Sequence, residues 1–188
     1  MQPELEVSDS AFREALEGWA KVATMRSELD VQQAASAAYS VFLRLALAAS
    51  FLSAVADRFG LWGKYGDPHV AWGDFSHFML YTQRLTSIFP ASFIPTLAWT
   101  ATLAETILAL ALLVGWRTRF AASLSGVLLL VFAISMTCGI SIKAPLDFSV
   151  FSVSAGAFLL SSCNRYPFSL DAMKGISSFN KELGAQQD

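Results

Sequence analysis

The sequence predicts an all-α integral membrane protein: a four-helix bundle with an N-terminal amphipathic helix and a long outer loop. Hydrophobic residues make up 54% of the 188 residues and charged residues only 15%, whereas soluble domains carry about a quarter charged residues. Four apolar runs have the roughly 17 to 25 residues that a helix needs to cross the hydrocarbon layer. Because backbone groups in lipid must be satisfied within the segment, these runs are predicted to be helices packed as a bundle.

The N-terminal arm, residues 1–34, is the first of three predicted parts. Its apolar residues recur at the spacing of one helix face, which would lie along the lipid head groups or dock on the bundle. They are Phe12, Ala15, Leu16, Trp19, Val22 and Ala23. The acidic start of the chain has no basic region before an apolar stretch, so a cleaved signal peptide is not expected.

The transmembrane domain, residues 35–163, contains the four predicted spans, and residues 164–188 form a polar cytoplasmic tail. The spans are residues 38–56, 93–116, 120–140 and 145–162. Asp57, Arg58 and Gly60 are predicted to stop the first span. Pro145 opens the fourth, which is shorter and more polar, and whose small residues suit close contact between helices.

The distribution of lysine and arginine predicts the orientation. With four spans, the arm, the turn before the third span and the tail lie on one side of the membrane. Eight basic residues fall there and four on the opposite side; the eight are Arg13, Lys21, Arg26, Arg117, Arg119, Arg165, Lys174 and Lys181. Because basic residues concentrate on the cytoplasmic side, both termini are predicted to be cytoplasmic and the loop of residues 57–90 to face outward.

Glu105 lies in the middle of residues 98–115, which are otherwise apolar or carry hydroxyl groups. A carboxylate at that depth costs several kcal/mol unless it is protonated, paired or beside water, so it marks a candidate functional site. Counting about 1.5 Å per residue from the outer surface, Arg44 lies roughly 20 Å deep and Glu105 roughly 18 Å deep. These depths predict a contact between them. It is either an ion pair that fixes helix register or a catalytic site that binds a polar head group or relays a proton.

Asp147 is the second-ranked acidic residue, because it falls one turn inside the fourth predicted span. The outer loop adds aromatic side chains, Trp62 and Trp72 among them, and apolar spacing from Phe75 to Phe89 that predicts an interfacial helix. These rings either form a belt that caps the bundle or cover a site for a ring-shaped lipophile such as a quinone. The spacing of the loop's two histidines matches no metal-ligand motif, so no metal site is predicted.

The sequence contains no nucleotide, haem or iron–sulfur motif, so no intrinsic cofactor is predicted. Any redox cofactor would be diffusible, as a quinone is, or would belong to a partner. The net charge of -2 and the lack of a basic run give no reason to expect nucleic acid. The predicted partners are the lipid bilayer and either protein subunits or further copies of the chain.

Residues 39–162 resemble the DoxX family of small bacterial membrane proteins. The resemblance rests on Arg44 in Phe-Leu-Arg-Leu, the helix exit Arg58-Phe59-Gly60, Glu105 in Ala-Glu-Thr, and the turn Gly-Trp-Arg-Thr-Arg at residues 115–119. It implies a multi-pass protein of the bacterial inner membrane. Family relatives include the membrane subunit of a thiosulfate:quinone oxidoreductase and components linked to membrane thiol-stress complexes.

The resemblance assigns a quinone or polar-ligand site to Arg44 and Glu105. Together with Asp147, Trp62 and Trp72 as further candidate quinone- or lipophile-binding residues, it leads to the interpretation that the chain is a quinone-linked, non-autonomous subunit of a membrane oxidoreductase. Two alternatives stay open. The chain is either a non-catalytic anchoring or assembly subunit of a larger membrane complex, or a small carrier of lipids or other lipophiles that uses the interior of the bundle.

Overall fold

The computed structural model describes residues 9–163 and 166–173. In this part of the chain, the secondary structure consists of helices joined by loops, and it contains no strand. The tail residues 174–188 and Arg165, which contribute to the predicted orientation, lie outside this range. The helices are α1 (Asp9–Arg58), α2 (Phe75–Leu85), α3 (Ile94–Val114), α4 (Thr118–Gly139), α5 (Lys143–Asp147) and α6 (Val150–Ser161), with a 3-10 turn at Ala91–Phe93. The predicted all-α class is confirmed.

Three helices are long and apolar enough to cross a membrane by length and composition: Phe12–Arg58, Ala91–Val114 and Thr118–Gly139. Membrane localisation is supported on this basis. α3 and α4 match the second and third predicted spans closely. Gly115 follows α3 in a left-handed conformation, with φ of 69°, and its amide donates to the carbonyls of Ala111 and Leu112. A glycine just beyond a helix commonly ends the helix in this way.

α1 corrects the prediction for the start of the chain. The amphipathic arm and the first span are not separate helices, because one helix of 50 residues includes both. Asp57 and Arg58, predicted to stop the span, are its last two residues. The chain divides into two compact units, Met1–Tyr39 and Ser40–Asp188. In the first unit, the apolar residues of the predicted face are exposed, with Trp19 at 73%.

The second unit has one hydrophobic core, to which α1, α3, α4 and α6 all contribute. Its buried residues include Leu47, Ala48, Phe51, Leu108, Ala109, Leu112, Ala121, Ala122, Ala157 and Leu160. Small side chains allow close helix contact. A β-carbon at Gly126 of α4 would lie only 2.8 Å from the ring of Phe158 on α6. Nearby, the buried Ser154 hydroxyl donates to the Gly126 carbonyl at 2.8 Å.

The prediction of one span over residues 145–162 is wrong. α6 contains 12 residues, which is short of the roughly 17 to 25 that cross the hydrocarbon layer. Ser149 adopts a left-handed conformation with φ of 55° and separates α6 from α5. Asp147 therefore lies in α5, not inside the fourth helix. It is exposed and forms an ion pair with Lys143.

Candidate functional site

A buried ion pair joins the end of α1 to the middle of α3. Arg58 Nη2 donates to both carboxylate oxygens of Glu105, at 2.7 and 2.8 Å. Its Nη1 donates to the Thr102 hydroxyl at 2.8 Å. Arg58 is 3% exposed and Glu105 1%. The carboxylate that the sequence singled out is therefore buried and paired, although its partner is a different arginine.

The predicted contact between Arg44 and Glu105 is wrong. Arg44 instead donates to two backbone carbonyls near the C-terminus, those of Pro167 at 3.3 Å and Phe168 at 2.7 Å. Counting residues from the two span ends assumes that the end of the first span is level with the start of the second. In the structure, α1 ends beside the middle of α3, which puts Arg44 roughly 20 Å further along the helix, away from Glu105.

The loop and α2 cause this shift in register, because they occupy the space beside the first turns of α3. The ring centroids of Phe75 on α2 and Trp99 on α3 lie 4.4 Å apart. Phe59, the residue after α1, also lies near Trp99, with ring centroids 6.3 Å apart. The end of α1 is thus level with the region around Thr102 rather than with the start of α3.

Two aromatic rings cover the Arg58 guanidinium. Its central carbon lies 3.8 Å from the ring centroid of Phe78 and 5.3 Å from that of Trp72. The two rings meet edge to face, with centroids 5.2 Å apart. Each cation–π contact of this kind contributes about 0.5–2 kcal/mol, with the larger values at sites removed from water. The rings stabilise the cation and also close the pair off from solvent.

Asp57, the neighbour of Arg58, holds the outer loop in place. Its carboxylate accepts hydrogen bonds from the backbone amides of Ala71 at 2.9 Å, Trp72 at 3.2 Å and Gly73 at 3.4 Å. These bonds fix the backbone at Trp72 and so position its indole over Arg58. Consecutive residues at the end of α1 therefore have separate tasks, since one binds the loop and the other binds α3.

A capping interaction starts α2. Asp74 accepts from the backbone amide of His77 at 3.0 Å, and its second oxygen lies 2.7 Å from His77 Nδ1. These hydrogen bonds lower the pKa of the exposed Asp74 carboxyl below its usual value. The stabilisation from the charged cap is therefore present above the ordinary carboxyl pKa and is lost as the pH falls through the lowered one. The Tyr65 ring stacks on His77 at 3.7 Å.

The structure brings together only part of the predicted site. Glu105 is at its centre and Trp72 covers it, whereas Arg44 and Asp147 make the other contacts described above. Trp62 is 62% exposed, and its indole donates to the Ser53 carbonyl at 3.1 Å. Sequence reasoning missed Arg58, Asp57, Thr102 and Phe78 as members of the site. The available signal was the Asp57-Arg58 pair at the end of an apolar run, which it assigned to the membrane surface.

The arrangement is suited to holding elements together. Both Glu105 oxygens are bound by Arg58, so the carboxylate can meet a ligand or water only if the guanidinium or its covering rings move. In the described parts of the chain, no group of three or more His, Cys, Asp or Glu residues could hold a metal ion.

No family model, no curated protein and no solved structure matches the chain. We therefore infer its function from the contacts of the site and from the surfaces that the site holds in place.

Proposed function

We propose that the chain is a multi-pass protein of the bacterial cytoplasmic membrane that serves as a non-catalytic anchoring or assembly subunit of a larger complex. In this proposal, α1, α3, α4 and α6 form a DoxX-like four-helix bundle. Their shared hydrophobic core supports the bundle. The order of the DoxX-like motifs around Arg44, Gly60, Glu105 and Gly115 supports the family.

The closed state of the Arg58–Glu105 pair carries the proposal. A catalytic carboxylate has to reach substrate or a proton donor, whereas Glu105 is 1% exposed and bound through both oxygens. Buried ion pairs are best attested as devices that specify one arrangement of helices. Here the pair fixes α1 against α3, and the rings that cover it fix the loop as well.

The loop held in this way presents apolar side chains outward. The exposed ones next to α1 are Phe59, Leu61, Trp62 and Tyr65. Aromatic residues are enriched at protein interfaces, where they supply large contact areas. We assign this outward surface to a protein subunit with a complementary apolar face, and we place Trp62 at its centre because of its exposed indole.

Replacing Trp62 with alanine is expected to weaken this assembly. Loss of a central tryptophan at an interface costs about 2 kcal/mol or more, which corresponds to roughly thirtyfold weaker binding. The complex would be extracted from native membranes in mild detergent and its size measured on native gels over a dilution series. The variant should dissociate at higher concentrations than the parent.

Trp116→Ala is the matched control, because Trp116 is also exposed, at 49%, and lies in the turn between α3 and α4. This control should keep the complex. Thermal unfolding of both variants would establish that they remain folded, since Trp62 also binds the Ser53 carbonyl. A complex that is equally stable with Trp62→Ala and with the parent chain contradicts the assignment of the loop surface.

A quinone-linked subunit is the second candidate, and a cluster of three rings favours it. Phe75 packs against Phe59 and Trp99, with ring centroids 6.0 and 4.4 Å away. Phe59 is 52% exposed and Trp99 46%, so a flat ring arriving from the bilayer could stack there. Hydrogen bonds to its carbonyl oxygens would require Arg58 to leave Glu105, and Glu105 would have to take up a proton from water before it could donate one to the ring.

A short-chain benzoquinone separates the two candidates. Its binding to the purified protein would be followed by quenching of tryptophan fluorescence, in the parent and in Arg58→Met/Glu105→Leu, which removes both charges together. If the quinone binds at this site, the quenching should saturate as quinone is added. The affinity of the double variant for the quinone should be more than about tenfold lower than that of the parent, because the variant lacks the charged hydrogen-bonding groups. Equal quenching in both proteins contradicts the quinone site and favours the assembly function.

A further inference from the structure

The N-terminus of α4 binds a carboxylate from the chain's own C-terminal region. The two oxygens of Asp171 accept from the backbone amides of Arg117 at 2.9 Å and Thr118 at 2.7 Å. The Asp171 amide donates to the Gly115 carbonyl at 3.2 Å. Residues 166–173, which we call the C-terminal strap, are thereby held against the turn between α3 and α4.

Arg44 places a buried positive charge beside this turn. It is 3% exposed, and its Nη1 lies 2.9 Å from the position that a β-carbon on Gly115 would occupy. Asp171 is close enough for its charge to act on the guanidinium. The hydrogen bonds from Arg44 go to carbonyls of the strap, so the cation has neutral acceptors where a charged one would bind more strongly.

Two buried donors at this turn are left unused by the strap. Within residues 9–163 and 166–173, Arg44 Nε and the Thr118 hydroxyl have no hydrogen-bond partner. Thr118 is fully buried, and a buried polar group left without a partner destabilises the fold. The site therefore contains more hydrogen-bond donors than the two oxygens of one carboxylate can bind.

We propose that this turn is a binding site for a phosphate-type anion, and that Asp171 occupies it as an internal substitute. The amides at the start of a helix and its dipole favour an anion, and α4 has 22 residues. A phosphate brings more acceptor oxygens than a carboxylate. It can take the amides of Arg117 and Thr118 and also supply an acceptor to the buried donors of Arg44 and Thr118.

A phospholipid head group is the source that this position favours. The turn joins two helices that are each long enough to cross a membrane, so in a spanning protein it lies at the level of the lipid phosphates. The half-exposed Trp116 is typical of that level. Free phosphate shares the same chemistry. Binding of either anion displaces Asp171 and releases the strap from Gly115 and Arg44, which makes the strap sensitive to anions. This inference uses the proposed membrane insertion but not the proposed complex.

The test uses the full chain with Asp171→Asn, purified in a neutral detergent without phosphate. The amide keeps the shape of the side chain but lacks its charge, so we expect the Tm to fall by about 5 °C. Inorganic phosphate or micelles containing phosphatidylglycerol should restore the Tm of this variant and change that of the parent much less. Asp147→Asn, which alters an exposed carboxylate in α5, is the matched control and should not respond.

The outcomes separate the sources and decide the proposal. Restoration by phosphatidylglycerol but not by phosphatidylcholine or phosphate assigns a lipid head group, whereas restoration by phosphate alone assigns a free ion. Equal Tm shifts in the parent and both variants, or no shift in any, overturn the site. If Asp171→Asn does not fold, hydrogen exchange of the parent decides: phosphatidylglycerol or phosphate should speed exchange at the strap amides, and unchanged exchange with both overturns the proposal.

Discussion

Replacing Glu105 with alanine is expected to lower the free energy of unfolding by about 3–5 kcal/mol, the scale for breaking a buried ion pair by removing one partner. The substitution leaves the Arg58 guanidinium buried beneath Phe78 and Trp72 without a countercharge. Glu105→Gln should also destabilise the protein, because the amide keeps the shape but not the charge. Equilibrium unfolding in mixed detergent micelles would measure the loss.

Two comparisons isolate the effect of the pair. Arg58→Met/Glu105→Leu should recover most of the lost stability, because replacing both charges by apolar residues removes the unpaired charge. Lys143→Ala breaks an exposed pair, with side chains 77% and 55% exposed, and should change stability by no more than about 1 kcal/mol. A double-mutant cycle without coupling between positions 58 and 105 is incompatible with the pair described here.

Gly73→Ala is expected to lower the free energy of unfolding by about 2–5 kcal/mol, by adding backbone strain to overpacking. Gly73 has a φ of +68°, and a β-carbon there would lie 2.2 Å from the Tyr65 amide nitrogen. Backbone atoms cannot move aside as a flexible side chain can. The loop would open, Asp57 would lose amide partners, and Trp72 would move away from Arg58. Unfolding measurements together with tryptophan fluorescence would detect both changes.

Gly66→Ala is the matched control in the same loop. Gly66 also has a positive φ, of +96°, but a β-carbon there would meet nothing within 4 Å. Its cost should be confined to backbone strain, about 1–2 kcal/mol. If Gly73→Ala and Gly66→Ala lower the free energy of unfolding equally, the contact between Gly73 and residue 65 is not what makes a β-carbon at Gly73 destabilising.

The sequence predicted the all-α class and located α3 and α4 well, because the length and hydrophobicity of a spanning helix are local properties. Glu105 was identified for a similar reason, since a charge within an apolar run is visible without any knowledge of packing. Asp147 was misplaced because the break at Ser149 depends on a left-handed backbone conformation in a residue type that only uncommonly adopts it.

The partner of Glu105 could not be predicted, because it depends on how a distant loop packs. Counting residues from each predicted span end assumes that those ends are level. The contact of Phe75 with Trp99 makes them uneven, so that Arg58 rather than Arg44 reaches the carboxylate. Charge type and depth selected Arg44, whereas tertiary packing brings Arg58, an arginine of the same helix, to the carboxylate.

The adjacency of Asp57 and Arg58 has a consequence for the order in which the chain folds. Asp57 binds amides 14 to 16 residues away, whereas Arg58 binds a carboxylate 47 residues away. Shorter loops close at a lower entropic cost, so the loop can close on Asp57 before α3 arrives. Trp72 is then already beside Arg58 when the two helices meet, and the cation enters the apolar interior partly shielded.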